Sequence, residues 1–222
     1  MSDENVRDMT FDYVIVDEAA KATTPELLVS ILKAEKIVLV GDQNQLAPFT
    51  DASLSPLSAK LVKDPKFRIF DILYDSLPIS HKQFLSTQYR MCSTIGNLIS
   101  TVFYDGKIIT GVADKDRQHT IKNFVGKSIV WISTELLPNH DSRRVPKGSS
   151  YNQSEINIIR TLLGAMNIQE DAGTLDVGVN VAFSRAKKLL IICGDMNFFA
   201  TWAGSSNTFS EIVQYIQNNP DT

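Results

Sequence analysis

The stretch Phe11–Pro48, FDYVIVDEAAKATTPELLVSILKAEKIVLVGDQNQLAP, constrains the fold more than any other part of the chain. It opens on FDYVIV, a continuous apolar run that predicts a buried parallel strand rather than one with a solvated face. The run ends on two adjacent carboxylates, Asp17 and Glu18, at the strand end where open α/β sheets place ligands. Thr24-Pro25-Glu26 predicts a helix start, with a capping hydroxyl, proline in the first turn and an acid beside the positive terminus. The helix LLVSIL leads to a second apolar run, KIVLV, which stops at Gly41-Asp42. A strand, helix, strand unit with an acid closing each strand has the outline of half a nucleotide-hydrolysing site. Taken alone, the Asp-Glu pair fits an ordinary βαβ unit with solubilising acids about equally well.

Further blocks shift that balance. GDQNQLAP follows the second strand, QYRM occupies Gln88–Met91, and VNVAFSRAK occupies Val179–Lys187. With the Asp17-Glu18 block they resemble motifs II, III, IV and VI of superfamily 1B helicases of the up-frameshift type, in the family's order. The resemblance runs from roughly Phe11 to Gln217. It implies an α/β chain of two incomplete RecA-like lobes of the P-loop NTPase type with parallel sheets. The first lobe would span residues 1–79, with motifs II and III, and the second residues 80–222, with motifs IV and VI. ATP and Mg²⁺ are the implied cofactors, and single-stranded DNA or RNA the implied partner. In the family pattern Asp17 holds Mg²⁺, directly or through water, and Glu18 polarises the attacking water. Gln45 senses the terminal phosphate, Arg90 reaches across the cleft to it, and Tyr89 lies against the adenine ring. Arg185 takes the place of the arginine finger. These residue types suit their tasks: a hard cation wants carboxylate oxygens, and phosphoryl transfer is mostly positioning plus charge stabilisation.

Two family segments have no counterpart. No GxxGxGK[ST] phosphate-binding loop occurs anywhere in the sequence. After the helix YNQSEINIIRTLLGAM, whose Asn152 and Glu155 resemble the family's N-x-x-E helix, NIQEDAGTLD (Asn167–Asp176) runs almost directly into the last block, with no motif V. The expectation is a fragment or truncated form that does not hydrolyse ATP alone. The alternatives are a degenerate helicase-like binding protein, or a half-site completed in trans by a loop-bearing chain. In a RecA-like lobe the loop-bearing strand would lie beside FDYVIV. Without it FDYVIV should keep a bare edge, open to self-association or to a protein partner.

Composition adds bounds. The hydrophobic content of 43% and charged content of 21% are those of a globular protein. A net charge of −3 gives no overall basic field, although a groove can be locally basic. Cys92 and Cys193 lack metal-ligand spacing and read as thiols of a reducing compartment. No signal peptide or membrane-length apolar run is present, so a cytoplasmic protein is expected. Elsewhere the pattern predicts a loop with a short helix LSAKLV, a helix FDILYDSL, a hinge near IS-HK and a strand QFLSTQ before the QYRM turn. It also predicts a helix STIGNLISTVFYDGKI, an irregular polar stretch over 111–127, a buried strand SIVWIS and a loop with Arg143, Arg144 and Lys147. That basic loop reads first as a solvated surface and second as a phosphate-backbone contact. Ser154 is the expected cap of the N-x-x-E helix, and a final helix should turn Phe209, Ile212, Val213 and Ile216 inward.

Overall fold

A computed structural model of the chain describes residues 9–45, 64, 68–138, 143–144, 150–165, 183–201 and 208–220. The LSAKLV helix, Lys147, the Asn167–Asp176 stretch and Val179–Ala182 lie outside the described residues. The chain divides into two compact units, Met1–Phe84 and Leu85–Thr222.

In the first unit, β1 (Phe11–Val16) pairs in parallel with β2 (Ala34–Leu39), Tyr13 opposite Lys36 and Ile15 opposite Val38. The crossover between them is α1 (Thr24–Ile31), and α2 (Ile69–Ser76) follows. Ala19, Ala20, Leu27 and Phe70 form a small core, with Val16, Leu39 and Ile69 against it. The sequence pattern predicts β1 buried on both faces; instead Phe11, Tyr13 and Ile15 are 39%, 60% and 70% exposed. The cause is geometric. Alternate residues of a strand point to opposite faces, and the packed core lies on the Val16 face. Among the described residues, β2 is the sole strand beside β1.

The helix start also differs by one residue. Thr23, not Thr24, is the cap of α1. The Glu26 carboxylate accepts from the Thr23 amide at 2.7 Å and from its hydroxyl at 2.8 Å. These bonds hold Glu26 below the usual carboxylate range. The Thr24 hydroxyl accepts instead from the Ile69 amide at 3.2 Å, which ties α2 to the start of α1.

The second unit holds two more parallel pairs. β3 (Thr87–Gln88) lies beside β4 (Ile109–Thr110), and β5 (Ile129–Ser133) beside β8 (Leu190–Gly194). Only two residues of QFLSTQ form strand, and Leu85 is 77% exposed. Between β3 and β4 runs α3 (Ser93–Tyr104), whose Ile95, Leu98 and Ile99 are fully buried at the spacing its sequence predicts. It ends at Asp105 in the left-handed region (φ 53). Within the basic loop, β6 (Arg143–Arg144) forms an antiparallel ladder with β7 (Ser150–Tyr151). α4 (Gln153–Ala165) is capped by Asn152 rather than Ser154, its Oδ1 accepting from the Ser154 and Glu155 amides at 3.0 and 3.2 Å. The Ser154 hydroxyl donates to the Pro138 carbonyl at 2.6 Å. Ile156 and Ile159 of α4 are exposed. α5 (Met196–Thr201) and α6 (Thr208–Asn218) close the chain; Ile212 and Val213 of α6 are fully buried. No described helix is long and apolar enough to cross a membrane.

The edge of β1 yields a prediction. Among the described residues its outer backbone groups have no strand beside them, and they flank an exposed Tyr13 and Ile15, a combination that favours strand addition. Light scattering on the 222-residue chain at micromolar concentration should show self-association, and Ile15→Lys should suppress it. A monodisperse wild-type monomer with strongly protected amides throughout Asp12–Val16 would contradict the prediction.

Candidate functional site

The Asp17-Glu18 turn and the Gly41-Asp42 turn meet at the carboxyl end of the β1–β2 pair. The ladder carries past the strands, with Val40 N donating to Val16 O and Ala19 N donating to Val40 O, each at 2.8 Å. Gly41 permits the approach, because a Cβ there would stand 2.8 Å from the Ala20 nitrogen and 2.9 Å from the Phe70 ring. Asp17 and Glu18 are both exposed. Asp17 Oδ1 accepts from the Glu18 amide at 2.9 Å. Glu18 adopts a left-handed conformation (φ 54, ψ 33), an uncommon state for a residue with a Cβ. Its carboxylate pairs with Lys21 at 3.0 Å. Both partners are substantially solvated, so this pair contributes only about 0–1 kcal/mol and leaves Glu18 able to swing.

Gln45 faces inward on its own turn. Its Nε2 donates to Asp42 Oδ2 at 2.8 Å, and Asp42 Oδ1 accepts from the Asn44 amide at 3.0 Å. The expected phosphate sensor therefore packs onto Asp42 in this conformation. Mg²⁺ takes one or two carboxylates and otherwise keeps waters and phosphate oxygens, so the exposed Asp17-Glu18 pair suits that ion.

In the second unit the structure brings Tyr89, Arg90 and Arg185 to neighbouring turns. Cys92 N donates to Lys187 O at 2.9 Å. Met91, Cys92 and Phe183 lie in one buried cluster, with Ala186 packed against it. Both guanidinium-bearing residues are exposed, and the Tyr89 side chain is 65% exposed. The QYRM turn is shaped by Gln88. Its Oε1 accepts from the Arg90 and Met91 amides at 2.9 and 2.8 Å. Its Nε2 donates to Met91 O at 3.1 Å and to Thr110 Oγ1 at 2.7 Å. Asp114 joins the network by accepting from the Ser93 amide at 2.7 Å and hydroxyl at 2.6 Å, at the first turn of α3. These bonds hold the Asp114 carboxyl below its usual range. The first unit has exposed carboxylates able to hold a cation, and the second has exposed guanidiniums, on neighbouring turns, able to hold an anion.

Sequence reasoning missed Gln88, Thr110, Asp114 and Arg117. The last three belong to stretches with no periodicity, and 111–127 reads as irregular. The remaining signal was chemical: small, acidic and basic residues at the foot of a strongly patterned helix.

Comparison with known proteins follows the same outline. A family model described as an AAA domain matches residues 1–53, and a second of that description matches residues 67–179, just over half of the chain. The "DNA polymerase alpha-associated DNA helicase A" of Schizosaccharomyces pombe is 26% identical over 280 residues, covering 94% of this chain and 40% of that protein. "Regulator of nonsense transcripts 1" of Caenorhabditis elegans is 38% identical over 111 residues, 48% of this chain and 9% of its own length. The "ATP-dependent helicase upf1" of Schizosaccharomyces pombe is 34% identical over 119 residues, 52% of this chain and 12% of its own. The chain thus spans well under half the length of these relatives. Since an alignment over 280 residues exceeds the 222 of this chain, part of the fission-yeast protein's matched region has no counterpart here.

A carboxyl with a depressed pKa stabilises the fold above its unfolded value of 3.8, and that stability is lost as pH falls through the lower folded value. Asp114→Ala should lower stability at neutral pH by about 0.5–2 kcal/mol, the scale of a lost helix cap. In urea titrations the gap between wild type and variant should close below roughly pH 4. A gap that persists at pH 2 would assign the effect to packing instead.

Proposed function

The chain belongs to the superfamily 1 helicases of the up-frameshift type, and on that premise we propose that it carries the nucleotide-facing turns of an ATP-dependent nucleic-acid helicase or translocase, in a form that does not turn over ATP alone. The observation that supports this most is the Cys92–Lys187 hydrogen bond, which sets the Arg90 and Arg185 turns side by side. Bound Mg·ATP supplies the phosphoryl group and a cation that offsets its charge. Asp17 would hold the cation through its exposed carboxylate, and Glu18 would orient the water and take up its proton. Tyr89 offers a solvated ring face for the base. Arg90 and Arg185 draw on the planar fork that suits phosphate oxygens. Gln45 must leave Asp42 to reach a terminal phosphate. Single-stranded DNA or RNA is the macromolecular substrate of this reading, and the cytoplasm its compartment.

A second reading is favoured by a separate observation. The edge of β1 that has no strand beside it among the described residues, next to Asp17 and Glu18, suits a loop-bearing strand supplied by another chain. In that case the nucleotide site is completed in trans.

Both readings give the same result for the isolated chain. A phosphate-binding loop contributes several charge-assisted bonds at roughly 1.5–3 kcal/mol each, so three of them amount to about 5 kcal/mol. Without them a micromolar site becomes one of about 10 mM. Calorimetry of the 222-residue chain with Mg·ATP should show no micromolar binding; such binding would overturn the reading of an incomplete site.

Where a loop-bearing segment is supplied, in cis or in trans, Glu18→Gln should trap nucleotide and abolish turnover. Arg185→Ala should cut turnover by about a thousandfold or more, the range of arginine fingers. Unchanged phosphate release in either variant would mark these residues as relics.

A further inference from the structure

We infer that Arg117 is a positioning residue for the nucleotide-contacting pair Tyr89–Arg90, holding their backbone in one conformation through its guanidinium fork. The inference rests on the nucleotide reading above and deepens it. Arg117 lies at the end of a 3₁₀ turn, Asp114–Arg117. Its Nε donates to the Arg90 carbonyl and its Nη2 to the Tyr89 carbonyl, both at 2.8 Å. Nη1 donates to the carbonyl of Asp116 at 3.1 Å, fixing the fork to its own turn. One rigid cation thus grips two successive carbonyls of the QYRM turn, twenty-seven and twenty-eight positions away in sequence.

The geometry is selective. Gln88 binds the amide side of the same turn, through Arg90 N and Met91 N. Arg117 binds the carbonyl side, so the peptide units of residues 89 and 90 are held from opposite directions. The Tyr89 ring has its own seat: a Cβ on Gly111 would stand 2.9 Å from the ring Cζ and closer still to Cε1. Gly111 itself is anchored, its amide donating to Gln88 O at 2.9 Å. With the backbone gripped and the ring seated, Tyr89 and Arg90 keep their side chains in solvent without being loose. A lysine at 117 would retain the charge, but its single ammonium lacks the planar fork that matches two adjacent carbonyls. Arg117 touches no nucleotide in this scheme; it acts through the two residues it holds.

The test uses the intact 222-residue chain, isotopically labelled, with Mg·ATP as the probe. Nucleotide is added to about 20 mM, near twice the ~10 mM dissociation constant expected. In the wild type the Tyr89 ring protons and the Arg90 Nε–H should shift. Arg117→Ala should keep a cooperative unfolding transition yet weaken binding about tenfold, taking occupancy from about two thirds to about one sixth. Amide exchange in this variant should speed up at Arg90–Cys92 and not in α3 beyond its first turn. Arg117→Lys should behave like Arg117→Ala. Wild-type shifts and exchange in Arg117→Ala would overturn the positioning role while leaving the nucleotide reading intact. Full rescue by Arg117→Lys would overturn the fork and assign the effect to charge. A wild-type chain with no nucleotide-dependent shift at Tyr89 or Arg90 would overturn the nucleotide reading, and this inference with it.

Discussion

The Gln88 side chain is the constraint on which the QYRM turn of the second unit depends. An amide has two acceptor positions on oxygen and two donors on nitrogen, and all four are used here within one turn and one neighbouring strand. A part-buried amide that is fully satisfied is rigid, because any rotation breaks several bonds at once and strands the groups it leaves. The consequence is local and directional. Residues 89–91 cannot extend β3, so the strand stops after Gln88 and the chain turns into α3. Met91 and Cys92 then drop into the core, and Tyr89 and Arg90 stay out. The alternation that exposes Tyr89 and Arg90 and buries Met91 and Cys92 follows from one side chain's hydrogen bonds. Hydrophobic pattern alone would not give it.

The first unit is organised differently, around a parallel pair that among the described residues has no third strand. A two-stranded parallel pair is rare as a finished structure, since parallel sheets normally have both faces covered. Here one face carries a core of four buried residues and the other presents Tyr13, Ile15 and Val38 to solvent. Lys36 partly screens that face, its ammonium 5.1 Å from the Tyr13 ring centroid and its Nζ donating to the phenol oxygen at 3.2 Å. Contacts of this sort at an exposed site are worth about 0.5–1 kcal/mol, much less than a packed layer contributes.

Much of the architecture was legible in the sequence, and the failures have physical causes. The spacing in Ser93–Tyr104 fixed both a helix and its buried face, because three fully buried side chains recur on one stripe. The parallel β1–α1–β2 unit was readable from two apolar runs of strand length flanking a helix start. Its burial was not, because a run of apolar residues reports what a strand could bury, and neighbouring elements decide what it does bury. Caps were misplaced by one residue at α1 and by two at α4, since Thr23 competes with Thr24, and Asn152 with Ser154, for similar roles. At the site, the acids and arginines stood out through their motifs. Asp114 and Arg117 did not, because long-range side-chain bonds to backbone leave no period in a sequence.

Glu18 shows how the remaining strain is held. Its left-handed backbone costs of order 1 kcal/mol or more, and no ligand is needed to impose it. Asp17 Oδ1 takes the Glu18 amide. The next amide, Ala19 N, is committed to Val40 O at 2.8 Å, and Lys21 N returns to Glu18 O at 2.9 Å. Ala19 and Ala20 are buried against Phe70, and Gly41 leaves no room for the turn to relax toward β2. The conformation is therefore over-determined from both sides of the residue. Its effect is to turn the chain sharply at the end of β1, leaving two adjacent carboxylates in solvent while the next two residues are buried. A regular extension of β1 would instead have continued the alternation of faces and separated them. The backbone of the acid pair is thus set by the fold itself, and only the Glu18 carboxylate, in its weak pairing with Lys21, is left to move.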